Sequence, residues 1–276
     1  MVEQNMKQGK TGKVILLSTL GLVSYSGFLI ANMSAAAVWQ YLPTRQLPVN
    51  MSGITGTPWS GAAESVTLAV SRKPLALPAI RWQIEPVSLL KGEVQVSVEL
   101  GNAASPVEGQ GTVVINRQTL TLNNVVLDTT APWLVASLQY TTGGNIPGEL
   151  QGNVLLELDE LILNDKGCVN INGNAALTNS GLTSPFGQFD LGNSTAQLSC
   201  QNRNLIARVT QKSSIMNSYG DFKLSTNGRY TFTGKMSPDS SLPAPMKQGL
   251  AFLGQPDSNG AYGFSFKSSI KQVWIP

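Results

Sequence analysis

The chain contains no histidine. That absence removes Ser-His-Asp triads, Cys-His dyads, His-ligated zinc and imidazole proton shuttles together. Only carboxylate, Lys, Tyr or unusual Ser chemistry stays open. Charge is scarce as well: 13% of residues are Asp, Glu, Lys or Arg, against about 25% in an ordinary soluble domain. A net charge of +3 without a clustered Lys/Arg stripe excludes a nucleic-acid partner, which asks for a concentrated basic footprint. Only two cysteines are present, Cys168 and Cys200. In an oxidising compartment a bridge between them would close a loop of about 33 residues, worth about 3–4 kcal/mol. Two buried thiols that never meet are the alternative, since spacing does not show whether the Cβ atoms approach.

One long apolar run is present. From Val14 to Ala31 every residue is apolar, small or uncharged, and Met33, Ala35–Ala37 and Val38 continue the weakly apolar character to Trp39 and Tyr41. A bilayer core of about 30 Å needs about 20 helical residues, so residues 14–38 are expected to span it. Trp39 and Tyr41 fall where an interfacial aromatic belt sits, and Pro43 stops the helix. Lys7, Lys10 and Lys13 precede the run and only Arg45 follows closely. The positive-inside rule therefore puts residues 1–13 in the cytoplasm and residues 39–276 in the periplasm. A cleaved signal peptide ending at Ala35-Ala36-Ala37 is the competing reading. The apolar run exceeds the usual 7–15 residues of such peptides, which favours a retained anchor.

Beyond the anchor roughly 235 residues remain, enough for one large β domain or two small ones. No Pro- or Ser-rich linker divides them, and 27 glycines and 15 prolines suit many turns between short strands. The rhythm is period two. Val94, Val96, Val98 and Leu100 alternate with Glu93, Gln95, Ser97 and Glu99, which predicts a half-buried strand. Val66, Leu68 and Val70 alternate likewise. Leu120 and Leu122 share one parity whereas Val125 and Leu127 take the other, so a bulge or tight turn is expected at Asn123-Asn124. The switch from Leu156 and Leu158 to Leu161 and Leu163 predicts a second bulge near Asp159-Glu160. Thr226-Asn227-Gly228 between Leu224 and Tyr230 predicts a hairpin with a type I′ turn. Ser258-Asn259-Gly260 before Tyr262 repeats the pattern, suggesting a meander of similar strands in one elongated layer. A short helix is expected from Pro245 to Leu253, and Val49 to Ser60 reads as loop.

Gly56-Thr57-Pro58-Trp59-Ser60-Gly61 lacks the lysine and spacing of a phosphate loop. It reads as a Gly/Pro turn tucking a tryptophan under a sheet edge, with a recognition surface as the alternative. Trp82, followed by Pro86 and Leu89-Leu90, reads as a core aromatic before a turn. Glu157, Asp159, Glu160 and Asp165 form the acidic cluster; a calcium site or an acid–base pair is weighed against a solvated strand face, and the solvated face is preferred. No residue pattern activates a nucleophile. No catalytic, cofactor-binding or metal site is expected.

Taken in order, these pieces resemble the type II secretion system protein N (general secretion pathway protein N) family. The resemblance runs from the basic tail and single anchor through Leu47-Pro48, Gly53, the Gly56–Gly61 segment, Trp82, Pro86, Leu89-Leu90 and Gly92. It continues through Pro147-Gly148-Glu149-Leu150-Gln151-Gly152, Phe186-Gly187-Gln188-Phe189-Asp190-Leu191, Asn227-Gly228-Arg229-Tyr230, and Leu253-Gly254-Gln255-Pro256-Asp257 with Gly260-Ala261-Tyr262. It implies a mainly β protein with one N-terminal transmembrane helix and an elongated, mostly antiparallel twisted sheet. It further implies a non-catalytic, single-pass component of the inner membrane, in the apparatus that exports folded periplasmic proteins across the outer membrane. Its partners would be other inner-membrane subunits of that apparatus, and no cofactor is implied. The family also looks distantly similar to AsmA-type proteins, whose open, apolar-lined β layers can hold lipid.

Three functions therefore compete. In the first, the β domain packs against secretion subunits through edge strands and the turn tryptophans. In the second, it is a periplasmic groove for lipid or lipopolysaccharide. The third, a carboxylate-based polysaccharide hydrolase, is a remainder.

Overall fold

In the computed structural model, residues 3–41, 49–68, 75–102, 104–142, 148–184, 187–250 and 253–269 are described. Pro43, Arg45, Leu47-Pro48, Val70, Pro147 and Phe186, all invoked above, lie outside them.

The apolar run forms α1 (Glu3–Ala31), whose Lys13–Ala31 stretch of 19 residues is the one described helix long and apolar enough to cross a membrane. At 1.5 Å per residue it measures about 28 Å, close to the thickness of a hydrocarbon core. The helix expected to run on to Val38 instead ends at Ala31. The Asn32 side-chain amide donates to the Phe28 carbonyl at 2.8 Å, the local competition that Asn offers a helix backbone. The chain restarts as α2 (Ala35–Tyr41), where the Val38 N–H donates to the Ser34 carbonyl.

A strand with one apolar and one polar face needs paired neighbours for its backbone and a partner for its apolar side. The chain meets the first need with two sheets. A small one, ordered β1-β4-β5, joins β1 (Val49–Ser52), β4 (Ser65–Leu68) and β5 (Leu75–Leu77). The large one has 13 strands in the order β16-β15-β14-β13-β12-β11-β10-β9-β8-β7-β6-β3-β2 and does not close. Its members are β2 (Thr55–Gly56), β3 (Ser60–Ala63), β6 (Ile80–Glu85), β7 (Val94–Leu100), β8 (Val107–Ile115), β9 (Thr119–Thr130), β10 (Glu149–Asn164), β11 (Gly167–Ser184), β12 (Gly187–Gln201), β13 (Asn204–Lys212), β14 (Met216–Leu224), β15 (Arg229–Pro238) and β16 (Tyr262–Ser269). Every pairing is antiparallel, so from β6 onward the chain is a meander. Three short helices sit in connections: α3 (Pro86–Leu89), α4 (Ala131–Thr142), which packs back on β9 and β10, and α5 (Ala244–Leu250). At about 4.8 Å per strand the large sheet extends roughly 58 Å along its hydrogen-bonding direction.

Both parity switches are bulges. Gln110 pairs with Val126 but Thr112 with Asn123, leaving one extra residue in β9, and Asn124 has φ of 50°. Leu158 pairs with Gly173 but Glu160 with Asn172, leaving Asp159 extra in β10. Between β9 and β10 the register runs unbroken, from Leu158 with Val125 to Glu160 with Asn123. The two bulges therefore lie side by side, and both strands change parity at the same level. Leucines on either side of the bulge thus reach the same face.

Two local expectations are corrected. The stretch from Val49 to Ser60 contains strands β1 and β2, because its backbone pairs with Ser65–Leu68 and with Ser60–Ala63 despite its glycines. The Asn227-Gly228 turn is not type I′. Only Gly228 has positive φ, 76°; its N–H donates to the Ser225 carbonyl, while the Ser225 N–H donates to Arg229 O. Such a turn is type I followed by a left-handed glycine. The Asn227 side-chain oxygen accepts the Arg229 N–H, which holds Asn227 in its ordinary conformation. Asp257–Ala261 repeats the pattern, with Gly260 at φ 75°.

The tightest apolar packing is a cluster of Leu158, Leu161, Cys168 and Ile171, flanked by Leu122, Val125, Leu156, Leu163, Leu198, Cys200 and Leu205. Cys168 and Cys200 are bonded, with Cα atoms 5.6 Å apart, tying the start of β11 to the end of β12 beside this cluster.

Candidate functional site: an uncovered apolar sheet face and its anchored corner

The register of the large sheet sorts residues into transverse rows. One row begins at Trp82, opposite Val98, which faces Gly111. It proceeds through Val125, Leu158, Gly173 and Leu198. It ends with Ala207, Phe222, Phe232 and Phe266. No member is polar apart from the Trp82 indole nitrogen. The next row over on the opposite face begins with Arg81, Glu99, Gln110, Val126 and Glu157. It continues with Asn174, Gln197, Arg208, Asp221, Thr233 and Ser265. Every member of this second row is exposed, whereas every member of the first but Phe266 is buried or half-buried. Two ion pairs, Arg81–Glu99 and Arg208–Asp221, both 3.4 Å, lie within the polar row. Both are solvated pairs of small energetic consequence.

Among the described residues no second sheet covers the apolar rows, and the most extensive packing added by a helix is that of α4 on β9 and β10. Among the described residues, the substantial contacts of β6 to β16 with other strands are with neighbours or next-neighbours in the same sheet. Half-burial without a cover means that the sheet curls toward its apolar side, the outcome expected of accumulated right-handed twist. The accessible surface is 18227 Å², whereas a compact monomer of 29.4 kDa would expose about 11,500 Å². The far end is aromatic: Phe222 and Tyr230, Tyr230 and Phe266, and Phe232 and Phe264 have ring centroids 5.7, 6.1 and 5.3 Å apart. Phe266 is 57% exposed on the last strand.

The opposite corner holds the residues singled out in the sequence. Gly56 and Gly61 pair across the β2–β3 hairpin. Gly56 has φ of 83°, and a Cβ there would meet the Ser60 carbonyl. A Cβ on Gly61 would overlap the Trp82 ring, which lies against the glycine's backbone. The Trp82 indole N–H donates to the Pro58 carbonyl at 3.0 Å. The tryptophan tucked at this edge is therefore Trp82, positioned from β6, rather than Trp59. Trp59 turns the other way: its Nε1–H donates to the Ile30 carbonyl at 3.2 Å, in the last turn of α1. Its backbone carbonyl accepts the Ile84 N–H at 2.7 Å. Trp59 thus joins the apolar helix to the end of β6. No pattern along the chain signals that contact, because its partner is a backbone carbonyl in another element.

The acidic cluster is dispersed. Asp159 and Glu160 accept from the side-chain amides of Asn172 and Asn170, at 2.8 and 2.6 Å, on the polar face. Among the described residues, no group of three or more His, Cys, Asp or Glu side chains is placed to hold a metal ion. The perturbed groups cluster around the β15–β16 connection. The Asp257 carboxyl is held below the usual carboxylate range by the Lys235 ammonium 2.7 Å away, helped by the Ala261 and Asn259 N–H groups. Lys235 is raised by the same hydrogen bond. Asp239 is lowered by hydrogen bonds from Ser241 and Ser240. These are turn-stabilising contacts, with no catalytic geometry around them.

Comparison with known proteins agrees with this architecture. The family model of type II secretion system (T2SS), protein N, matches residues 48–265. Among curated relatives, the type II secretion system protein N of Aeromonas hydrophila is 31% identical over 93% of this chain and 98% of its own length. Those of Vibrio cholerae and Pectobacterium carotovorum subsp. carotovorum are 24% and 25% identical, each over 92% of this chain and 96% and 97% of their own lengths. No solved structure matches. A family match over most of the chain, on a mainly β sheet preceded by one apolar helix, places this protein in the type II secretion system protein N family.

Proposed function

We propose that the chain is a single-pass inner-membrane subunit of the type II secretion machine, non-catalytic, acting through contacts with other inner-membrane subunits. In this reading α1 crosses the bilayer, residues 1–13 are cytoplasmic and residues 39–276 form the periplasmic domain. The observation that carries it is the Lys13–Ala31 stretch, wholly exposed in the isolated chain although its mean hydropathy is 2.0 and no charge follows Lys13 within it. Lys7, Lys10 and Lys13 on its N-terminal side support the orientation. The contact surface follows from the sheet ends. Trp59 and Trp82 have committed their indole N–H groups internally, whereas β16 is a terminal strand with no described strand on its outer edge. Such an edge pairs readily with a strand from another subunit. Tagged protein at native abundance is expected to co-purify secretion subunits from detergent extracts, and deleting the gene to lower exoprotein release. Normal release together with no co-purifying subunit would overturn the reading.

A second reading is favoured by the uncovered apolar face: the periplasmic sheet holds acyl chains. Its backbone groups are already paired in the ladder, so an occupant that needs no hydrogen bonds is the one that suits it. Native mass spectrometry of the purified full chain is expected to show retained lipid; a lipid-free protein would remove this reading.

A further inference from the structure

The strand ends of the large sheet are not alike. At one end the connections are β6–β7 (through α3), β8–β9, β10–β11, β12–β13 and β14–β15. Each has a cation in it or at the adjoining strand end: Lys91, Arg117, Lys166, Arg203 and, as the first residue of β15, Arg229, with Lys223 one residue inside the end of β14. All five are exposed, and none forms an ion pair with a described residue. Glu85, Glu93 and Asp165 are the carboxylates on that rim. At the other end the connections β7–β8, β9–β10, β11–β12 and β13–β14 contain no charged residue and β15–β16 contains Asp239, Lys247 and Asp257, while the strand ends bring Glu108, Asp128, Glu149 and Lys212, so carboxylates outnumber cations there. Successive turns on this rim are two strands apart along the sheet, and the curl draws the Lys166, Arg203 and Arg229 turns together: the Cys168 N–H donates to the Arg203 carbonyl, and Gly167 lies against Thr226.

The cationic rim is also the end that meets the apolar helix. The Trp59 carbonyl bonds the Ile84 N–H one residue before β6 ends, and the Trp59 indole bonds Ile30 of α1. The helix end thus meets the cationic rim at its β6 corner, beside the connection that carries Lys91 and on the strand where the apolar row begins.

We propose that this rim binds the phosphate-bearing headgroups of anionic glycerophospholipids from the bilayer that α1 occupies, with their acyl chains on the adjoining apolar face. The inference rests on the acyl-chain reading above and adds the headgroup class and the side of entry. A Lys or Arg side chain donates charge-assisted hydrogen bonds to phosphate oxygens, and a cation at an anionic surface adds attraction that fades within a Debye length. A peptide occupant would need backbone partners, which a fully paired sheet face does not offer.

The test uses the full chain, reconstituted into vesicles of equal parts phosphatidylethanolamine and phosphatidylglycerol, re-extracted, and its retained lipid identified by native mass spectrometry. The retained phosphatidylglycerol-to-phosphatidylethanolamine ratio is expected to be about five times that of the vesicle. The Arg117→Gln/Lys166→Gln/Arg229→Gln variant changes only exposed positions, two in turns and one at the first residue of β15. It is expected to keep its far-ultraviolet circular dichroism and total lipid while its lipid ratio returns to that of the vesicle; Arg117→Gln alone gives a partial shift. A wild-type ratio equal to the vesicle's, or a triple variant with undiminished enrichment, overturns the headgroup assignment and leaves the acyl-chain reading intact. Absence of any retained lipid overturns both. Lipopolysaccharide as the dominant lipid on protein taken directly from cells overturns the bilayer source.

Discussion

The indole N–H of Trp59 donates to the carbonyl of Ile30 across 3.2 Å, so the sheet's first hairpin is bonded to the last turn of the apolar helix. Helix C-termini leave carbonyls without intrahelical partners, and an indole at the bilayer interface is suited to supply one. Trp59→Phe keeps the ring and removes the donor. A net loss of about 0.5–1.5 kcal/mol is expected, and spin labels on Val23 and Gln83 should report a broader distance distribution than in the parent. An unchanged width would mean that the contact does not set the angle between helix and sheet.

Gly61 is expected to tolerate no side chain while Trp82 lies over it. Gly61→Ala should lower stability by about 1–3 kcal/mol through overpacking, read as a shift in urea midpoint. Combined with Trp82→Leu, which vacates the space, the two losses should fall well short of additive. Strict additivity would show that the ring and the glycine do not press on one another.

The Cys168–Cys200 bond closes its loop next to the buried cluster of Leu158, Leu161 and Ile171. Replacing both cysteines by serine is expected to cost about 3–4 kcal/mol from the loop length alone. Reduction of the parent protein by dithiothreitol should reproduce most of the drop in urea midpoint. A variant as stable as the parent under oxidising conditions would show that the sheet does not depend on the bond.

Stability should depend on pH through the Lys235–Asp257 pair, whose atoms lie 2.7 Å apart. Asp257 is lowered from 3.8, so its contribution is present above that value and is lost as pH falls through the lower, folded-state value. Lys235 is raised from 10.5, so its contribution is complete below that value and is lost as pH rises through the higher one. Asp239, also lowered, acts in the acid direction. The difference in urea midpoint between parent and Asp257→Asn should therefore be largest near neutrality and shrink toward about pH 3. A difference independent of pH would assign the effect to the turn's backbone hydrogen bonds instead.

Much of the sheet was legible along the chain. The parity switches at Asn123-Asn124 and Asp159-Glu160 marked bulges correctly, because a one-residue insertion inverts every following side chain and the leucines register that inversion. The strands β1 and β2 were illegible for the opposite reason. β2 is two residues, Thr55-Gly56, too few for any rhythm, and the alternation of β1 lasts only from Val49 to Ser52 before Gly53, so each is recognised by its pairing to a partner segment. The turn after Leu224 was legible as a turn but not as a type, since Asn-Gly serves I′ and type I-plus-glycine geometries alike and the Asn227 side-chain bond to Arg229 decides between them. At the anchored corner, glycines and tryptophans stood out as residue types, but the tuck under the edge expected of Trp59 belongs to Trp82, which covers Gly61, while Trp59 reaches the helix.

Composition alone determined which chemistry the protein lacks, and period-two alternation alone determined that it is built of strands with one apolar and one polar side. Those are local properties, written in the residues of each strand. Only the assembled sheet decided that no second described sheet covers its apolar side, that the two bulges fall side by side, and that five cations lie along one rim whose β6 corner meets the helix end. Each of these depends on register between strands far apart in the chain, and register is set by backbone pairing that no single segment contains.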